Sequence, residues 1–337
     1  MRQVIDEAAA RLPTLRGQPR VPARLAEKIA EVYQQLGEYK LATPFFEQSI
    51  QLYPQLDGPA SLDAARTMAA YSDLLRQTRD YPRSSQLADA SLAIRRKVLP
   101  PQHPDIADAL NAIGVIRQIQ NRGKEAEAAY KEAVDIRRVA RPGTKELALS
   151  LGNYGNILYN RRDLNGAERL YREALAIRRK AFGAGHPRVA SSLAQLSATL
   201  IDKNDKAGAL AATTEAVAIL RNALPAGHPE MTKTLRDHGV ALRENGRLAE
   251  SEELLRETWE IERKTRGAGS PEASTAMASL AKTLAAAGRS ADAEKLLRDA
   301  IAIRRRALGD QHPLVAKGEK DLAALLAKKA LLTKKKA

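Results

Sequence analysis

The 337-residue chain has a mass of 36.7 kDa, which is enough for two or three compact domains or for one extended array. Aromatic residues make up only 4% of it, which argues against a large aromatic core, and the absence of cysteine excludes disulfides, thiol nucleophiles and thiolate metal sites. A formal net charge of +15 is compatible with nucleic acid, an anionic membrane or an acidic protein as partner, but it selects none of them.

Residues 1–19 begin the chain with a short predicted helix, from Arg2 to Leu12. Acidic residues stand where a secretory signal would need an apolar run, and no later stretch approaches about 18 uninterrupted apolar residues. We therefore expect a soluble, cytoplasmic protein. The segment is also compatible with the second helix of an incomplete repeat, in which case the chain would continue a longer protein.

Residues 20–311 repeat with a period of 42 residues. An apolar residue recurs at steps of 41 or 42, at Leu52, Ile94, Ile136, Ile177, Ile219, Ile261 and Ile303. In most of the seven repeats, an arginine or a pair of arginines follows this residue within two positions. Self-similarity at a fixed period of this length indicates an array of stacked structural repeats.

Three further columns of the repeat hold only small residues. The first column consists of Ala30, Ser72, Gly114, Gly155, Ser197, Gly239 and Ala281. The other two columns run from Ala42 to Ala293 and from Ser49 to Ala300 with the same spacing. Small side chains at fixed positions let two helices approach closely, so each repeat is predicted to be a tightly crossed pair of helices.

Turn signals indicate where the two helices of each repeat begin and end. The first, or A, helix opens at Gly-x-x-His-Pro or a variant, as at residues 183–187 and 309–313, with proline at the first helical position. A polar turn such as Asn121–Gly123 follows, and the second, or B, helix then runs to the recurring apolar residue. The pattern predicts seven antiparallel hairpins that start near residues 20, 61, 103, 144, 186, 228 and 270.

Residues 312–337 are predicted to form a lone helix that starts near Pro313. Its end is rich in lysine, at Lys328, Lys329, Lys334, Lys335 and Lys336. An array of hairpins needs a polar element at its end to cover the last apolar surface. We therefore expect this segment to be a capping helix with a lysine-rich tail.

Residues 110–138, LNAIGVIRQIQNRGKEAEAAYKEAVDIRR, and residues 167–200 resemble units of the tetratricopeptide repeat, in the 42-residue form of the kinesin light chain family. The likeness covers roughly residues 20–335, and three repeats depart from the family's His-Pro, at Ser61-Leu62, Thr144-Lys145 and Ser270-Pro271. The resemblance implies an all-α, right-handed α-solenoid of about seven hairpins. It also implies a non-catalytic scaffold that binds a peptide or protein segment along the concave face of the A helices.

The same resemblance assigns groove-facing positions on the A helices. They are Asp73, Arg76, Asp108, Asn111, Asn153, Asn156, Asn160, Lys233, Arg236, Arg243 and Lys282. Asparagine suits this role because its amide can both donate to and accept from a peptide backbone. The positions of the sixth hairpin are basic, so we expect an acidic segment or a terminal carboxylate there. The fifth hairpin offers a smooth patch instead, at Ser191, Ala194 and Ala198.

Four of the five histidines occupy one turn position in separate hairpins, at His103, His186, His228 and His312. Neighbouring hairpins are expected about 10 Å apart, whereas zinc needs its ligands about 2.1 Å from one ion. His238 falls in a column of apolar and tyrosine residues, which predicts a core position. No phosphate-binding glycine motif is present and Glu252-Glu253 lies on a predicted exposed face, so we expect neither a metal, a cofactor nor enzyme activity.

The repeated arginines offer an alternative site, because they would form a basic stripe along one edge: Arg95, Arg96, Arg137, Arg138, Arg178, Arg179, Arg304 and Arg305. The simpler interpretation is that cations at the end of a helix offset its dipole, by about 0.3–1 kcal/mol each, and bond its last carbonyls. The stripe could instead bind nucleic acid or an anionic surface, although few aromatic residues are present to stack bases and Trp259 falls in an apolar column. A regulatory tail of a larger bacterial signalling protein is a third alternative.

Overall fold

The computed structural model describes residues 2–12, 20–225 and 227–334. Over these residues the regular secondary structure consists of sixteen helices, and none of them forms a strand. The predicted all-α solenoid is therefore confirmed. No helix in the described part of the chain is long and apolar enough to cross a membrane.

The chain divides into two compact units, Met1–Arg161 and Arg162–Ala337. Unit 1 contains α1 (Arg2–Arg11), α2 (Arg20–Gln35), α3 (Tyr39–Asp57), α4 (Leu62–Gln77), α5 (Tyr81–Val98), α6 (Pro104–Ile119), α7 (Gly123–Ala140) and α8 (Lys145–Asn160). Unit 2 contains α9 (Leu164–Phe182), α10 (Pro187–Asp202), α11 (Lys206–Ala223), α12 (Pro229–Glu244), α13 (Leu248–Arg266), α14 (Pro271–Ala286), α15 (Ser290–Leu308) and α16 (Pro313–Lys334). The even-numbered helices are the A helices, and each begins within one residue of its predicted start.

Each unit is a stack of neighbouring helices. Within a unit, every A helix packs against the helix before it and the helix after it in the sequence. The A helices also contact one another, α2 with α4 and α4 with α6 in unit 1, and α10 with α12 and α12 with α14 in unit 2. One surface of each unit is consequently lined by A helices.

The His-Pro signals and their variants are helix caps. Nδ1 of the histidine accepts a hydrogen bond from the backbone N–H two residues later, at 3.1 to 3.2 Å, in His103, His186, His228 and His312. In the three departing repeats a hydroxyl accepts from the N–H three residues later, at 3.2 to 3.4 Å, in Ser61, Thr144 and Ser270. All three residue types supply the acceptor that the first turn of a helix lacks, so the structure explains both the repeated histidines and their replacements.

The turn between the A and B helices closes on a residue in the left-handed conformation. The φ angle is 60° at Asn121, 76° at Gly246 and 83° at Gly288. Glycine adopts this conformation without cost, and asparagine adopts it more easily than most residues. In the predicted turn Asn121–Gly123, the left-handed residue is the asparagine, whereas Gly123 is the first residue of α7.

The small residues of the first column lie where the two helices of a hairpin cross. A methyl group on Gly114 would lie 2.5 Å from Cε1 of Tyr130, and one on Gly239 would lie 2.6 Å from Cγ of Leu255. Each large partner belongs to the B helix of the same hairpin and is buried. The absence of a side chain on the A helix is thus what admits a large side chain from the B helix.

The helices at the two ends of the chain pack on their neighbours. Leu12, which follows α1, is buried in the core of the first hairpins, and Tyr33 donates to Asp6 at 2.6 Å. At the other end, Leu325 of α16 is buried against the last hairpin, and Lys329 pairs with Glu294 at 3.2 Å. Lys335 and Lys336 of the predicted tail lie outside the described residues, as does the side chain of Lys334.

Candidate binding groove

The predicted groove residues of α4 bond one another and the neighbouring A helix. Asp73 accepts hydrogen bonds from Arg76 at 2.6 Å, from Gln77 at 2.8 Å and from Gln34 of α2 at 3.3 Å. Both charges of the pair are partly exposed, but each already has a partner. A ligand would have to compete with these bonds.

A second network joins the predicted residues of α6 and α8. The Asn111 side-chain oxygen accepts from the Ser150 hydroxyl at 3.0 Å and from the Asn153 amide at 3.2 Å. Asp108 accepts from Arg137 of α7, which also donates to Ser150. The structure therefore brings Asp108, Asn111 and Asn153 together, although mainly to satisfy one another.

The remaining predicted asparagines lie further along α8. Asn156 is half-buried and has an interaction partner of its own, whereas Asn160 is exposed at the last residue of the helix.

Two further residues of unit 1 occupy positions equivalent to the predicted ones, although the resemblance did not select them. Glu27 of α2, equivalent to Asn111, is 1% exposed and accepts from Arg66 of α4 at 2.8 and 2.9 Å and from Tyr53 at 2.9 Å. Burial tends to raise the pKa of the Glu27 carboxyl, but the hydrogen bonds from Arg66 and Tyr53 outweigh it and hold the pKa below its usual value. Alignment of the columns was the signal that could have identified this pair.

The predicted cations of α12 in unit 2 are close to two carboxylates. Lys233 Nζ lies 3.6 Å from Asp237 Oδ2, and Arg236 Nη2 lies 3.4 Å from Asp237 Oδ1. Arg243, two turns further along, pairs with Glu244 at 2.8 Å. Its Nη1 atom is buried and has no hydrogen-bond partner among the described residues.

Three of the predicted residues meet in one cavity between α12, α14 and α16, which we call the basic cavity. Its volume is about 370 Å³, and Lys233 is not part of its lining. The charged residues that line it are Arg236, Asp237, Arg243, Lys282, Arg304, Lys317 and Asp321. The structure thus places Arg236, Arg243 and Lys282 together and adds Arg304 and Lys317 to them.

A second cavity adjoins the basic cavity and shares Arg243, Lys282 and Asp321 with it. Its volume is about 490 Å³, and its apolar lining consists of Ala281, Ala285, Ala286, Leu297, Ala324 and Leu325. We call it the alanine cavity. The groove of unit 2 therefore combines cations with an apolar floor.

The patch predicted on α10 is only partly a surface. Ser191 is half-buried and Ala198 is exposed, but Ala194 is buried, with 6% of its surface accessible. Ala194 occupies the position equivalent to Arg236, and so does Ala278 of α14. The arginine of α12 thus stands between two small residues.

The arginines of the predicted stripe fall into two sets that differ in burial. The first arginine after the recurring apolar residue reaches the next A helix. Arg178 is half-buried and donates to the hydroxyl of Ser192, whereas Arg95 and Arg304 are buried and donate to the carbonyls of Asp105, at 2.5 Å, and Leu314, at 2.9 Å. Arg137 makes the same kind of bond. The prediction that these arginines bond the last carbonyls of their own helix is therefore wrong, because they bond the next A helix.

Where two arginines follow the recurring apolar residue, the second one is exposed. Glutamates of the following B helix pair with two of them, Arg96 with Glu132 at 2.6 Å and Arg179 with Glu215 at 2.7 Å. The exposed edge within each unit consequently includes ion pairs and is not a row of free cations.

His238 is half-buried, so the prediction of a core position is only partly right. Its Nδ1 lies 2.9 Å from Thr213 Oγ1, and its ring lines a cavity of about 320 Å³ beside Arg221 and three glutamates of α13. Burial lowers the pKa of His238, and Arg247 and Arg221 shift it in the same direction. Within the described ranges, no group of three His, Asp or Glu side chains is arranged to hold a metal ion.

Profiles of the tetratricopeptide repeat match most of the array. One profile matches residues 22–97, 74–138 and 230–306, and a second matches residues 147–188 and 189–230. Among curated proteins, none matches the sequence significantly.

Solved structures share the fold at low sequence identity. Kinesin light chain TPR-like repeats from Podosopora anserina are 22% identical over 60% of this chain and 97% of theirs, with a TM-score of 0.54. BtubC from P. vanneervenii is 17% identical over 75% of this chain and 94% of its own, with a TM-score of 0.56. A signal-transduction ATPase with a tetratricopeptide repeat sensor, from Pyrococcus horikoshii, is 15% identical over 91% of this chain and 44% of its own, with a TM-score of 0.66. Since the first profile alone covers more than half of the sequence, the chain belongs to the tetratricopeptide repeat family, and it shares its fold with kinesin light chain-like repeats.

Proposed function

We propose that the chain is a non-catalytic scaffold that holds an extended or helical segment of another protein in the groove of its A helices, mainly in unit 2. The observation that supports this most is the pair of adjoining cavities between α12, α14 and α16. Concave surfaces with an apolar floor and a few convergent polar groups are the usual form of a binding site. The two cavities share three residues, so a ligand can extend from one to the other.

An acidic segment fits this groove best. The basic cavity has more cations than carboxylates, and charge complementarity speeds association and excludes basic partners. The alanine cavity can take an apolar side chain next to the acidic one, because its floor is formed by alanine and leucine. The preferred segment therefore alternates acidic and apolar residues.

Unit 1 is proposed to contribute less. Asp73, Asn111 and Asn153 bond other side chains of the same surface, so a ligand would gain only the difference between old and new hydrogen bonds. The cations of unit 2 include a buried donor, Nη1 of Arg243, that has no hydrogen-bond partner in the part of the chain that the structure describes.

Fluorescence anisotropy with a labelled decapeptide of alternating glutamate and leucine tests the proposal, with a lysine and leucine peptide as counterpart. We expect the acidic peptide to bind at least about tenfold more tightly, which corresponds to about 1.4 kcal/mol. The double variant Arg236→Glu, Lys282→Glu should lose this binding. The control variant Arg256→Glu, Arg298→Glu changes the net charge equally on exposed B-helix residues and should keep it. Equal losses in both variants would mean that the groove is not the site.

A labelled single-stranded oligonucleotide in the same assay addresses the alternative of nucleic-acid binding. Binding to nucleic acid should weaken steeply between about 50 and 200 mM salt because counterions are released. If the oligonucleotide bound more tightly than the acidic peptide and showed this salt dependence, the scaffold proposal would give way to the alternative.

A further inference from the structure

The basic cavity carries more positive charge than its own carboxylates balance. Five cationic and two anionic side chains line it, which leaves three positive charges in excess. Lys282 pairs with Asp321 at 2.8 Å, and Arg236 and Lys233 share Asp237. Each carboxylate of the lining therefore already pairs with at least one cation.

Arg304 lies in the lining of this cavity without a bonded counterion. It is 3% exposed and donates to the Ser274 hydroxyl at 3.1 Å and to the Leu314 carbonyl at 2.9 Å. Burial lowers the pKa of Arg304, and Asp321 opposes the shift. Because a guanidinium keeps its proton in proteins, its charge is buried without a hydrogen-bonded carboxylate.

Two more cations of the cavity have capacity for a ligand. Arg243 uses one edge of its guanidinium for Glu244, but its Nη1 is buried without a partner. Lys317 is exposed, and it forms no ion pair with any residue that the structure describes. An anion in the cavity would supply a counter-charge to both.

The cavity lies where long side chains on one A helix meet small side chains on the next. The positions of Arg236 and Arg243 are occupied on α14 by Ala278 and Ala285. Two long cationic side chains on α12 therefore face small residues on the neighbouring A helix, which leaves space between them. Arg236 and Arg243 lie outside the columns of small residues that pack the hairpins, so their identity is free to vary with the ligand.

We propose that the basic cavity binds a phosphoryl group, carried on a serine or threonine of the segment in the groove, an inference that rests on the proposed function. A phosphate monoester has close to two negative charges and three acceptor oxygens, so it can take guanidinium edges and an ammonium group at the same time. A carboxylate has one charge and two oxygens, and it would leave most of the excess unbalanced. The two cations with spare capacity are Arg243 and Lys317, and the buried charge of Arg304 adds to the positive charge of the cavity.

Inorganic phosphate tests the site without any peptide. We expect phosphate to raise the thermal midpoint of the chain above its value in acetate at the same pH and ionic strength. Lys317→Gln and Arg243→Gln should remove this difference, whereas Lys320→Gln, an equal charge change three residues along α16 and outside the cavity, should keep it. Phosphate no better than acetate, or equal losses in Lys317→Gln and Lys320→Gln, would overturn the proposal.

Three versions of the acidic decapeptide, with serine, phosphoserine or glutamate at one central position, test where the phosphoryl group comes from. We expect phosphoserine to bind at least about tenfold more tightly than the other two, and Arg243→Gln to remove that advantage. If all three bound equally, the phosphoryl proposal would be wrong while the proposed function stood. If inorganic phosphate bound but phosphoserine gave no advantage, the ligand would be free phosphate, and the segment-borne form would be refuted.

Discussion

His238 is an imidazole in a column that is otherwise apolar or tyrosine. The equivalent residues include Ile29, Ile113, Leu196 and Leu280, and His238 takes their place with only half of the ring buried. Thr213 gives its Nδ1 a partner, and the adjacent cavity gives the other side of the ring access to solvent. A titratable group has thus replaced an apolar one at the crossing of two helices.

We predict that acidification destabilises the protein partly through His238. Its pKa in the folded chain lies below 6.5, so the unfolded chain takes up a proton first as the pH falls. The stability that the neutral ring contributes is complete above pH 6.5 and is lost as the pH falls from there through the folded pKa. The thermal midpoint should therefore fall further between pH 7.5 and 5.5 in the wild type than in His238→Leu. Parallel pH profiles of the two proteins would contradict this.

Sequence reasoning assigned three of the five cations of the basic cavity to the groove. Arg236, Arg243 and Lys282 were accessible because the resemblance assigns their column positions to the groove. Lys317 was missed because α16 was interpreted as a cap. Arg304 was assigned to the arginine stripe instead, because a column does not reveal that its side chain reaches the next helix. The unpartnered Nη1 of Arg243 depends on packing between three helices, which no single repeat contains.

At the scale of the helical hairpin, volume is balanced between its two helices. Gly114 faces the large Tyr130, while the same two positions in the preceding hairpin are Ser72 and Ala88. The sequence predicted that small columns mark close crossings. It did not predict that the smallest residue on the A helix faces a large one on the B helix, because that requires knowing which A and B positions meet.

We expect Gly114→Ala to destabilise the protein by about 1–2 kcal/mol. The added methyl group would overlap the buried ring of Tyr130, at a cost of about 1–3 kcal/mol, against a gain of up to about 1 kcal/mol in helix propensity. Gly123→Ala is the control, since a methyl group there meets nothing within 4 Å. Urea denaturation would measure both, and Gly114→Ser with Tyr130→Ala should cost less than the sum of the single variants. Additive costs would show that the two residues do not compensate.

At the scale of the molecule, the contacts of each unit join helices that are neighbours in the sequence. A and B helices pack on the elements before and after them, and A helices contact the next A helix. Stability in such an array is approximately the sum of hairpin terms and nearest-neighbour terms. The period of 42 residues was sufficient to predict this arrangement, whereas the division into two compact units has no counterpart in the repeat pattern.

We predict that unfolding in urea is not a single two-state transition. Trp259, the one tryptophan, packs against the core of α13 to α15 and reports on that region, whereas far-UV circular dichroism averages over all helices. The two transitions should therefore have different midpoints, and the dichroism transition should be broader than the length of the chain implies. Coincident midpoints and slopes would mean that the whole chain unfolds as one cooperative unit.

The buried arginines bear on how such a chain can change in evolution. Arg95 and Arg304 hold the next A helix by its main-chain carbonyl, a group that every residue possesses. This contact between successive hairpins, the joint, therefore depends little on the sequence of the hairpin that follows. Duplication, loss or reordering of whole 42-residue segments would preserve the joint, so the array can change in length while the side chains of its A helices diverge towards new ligands.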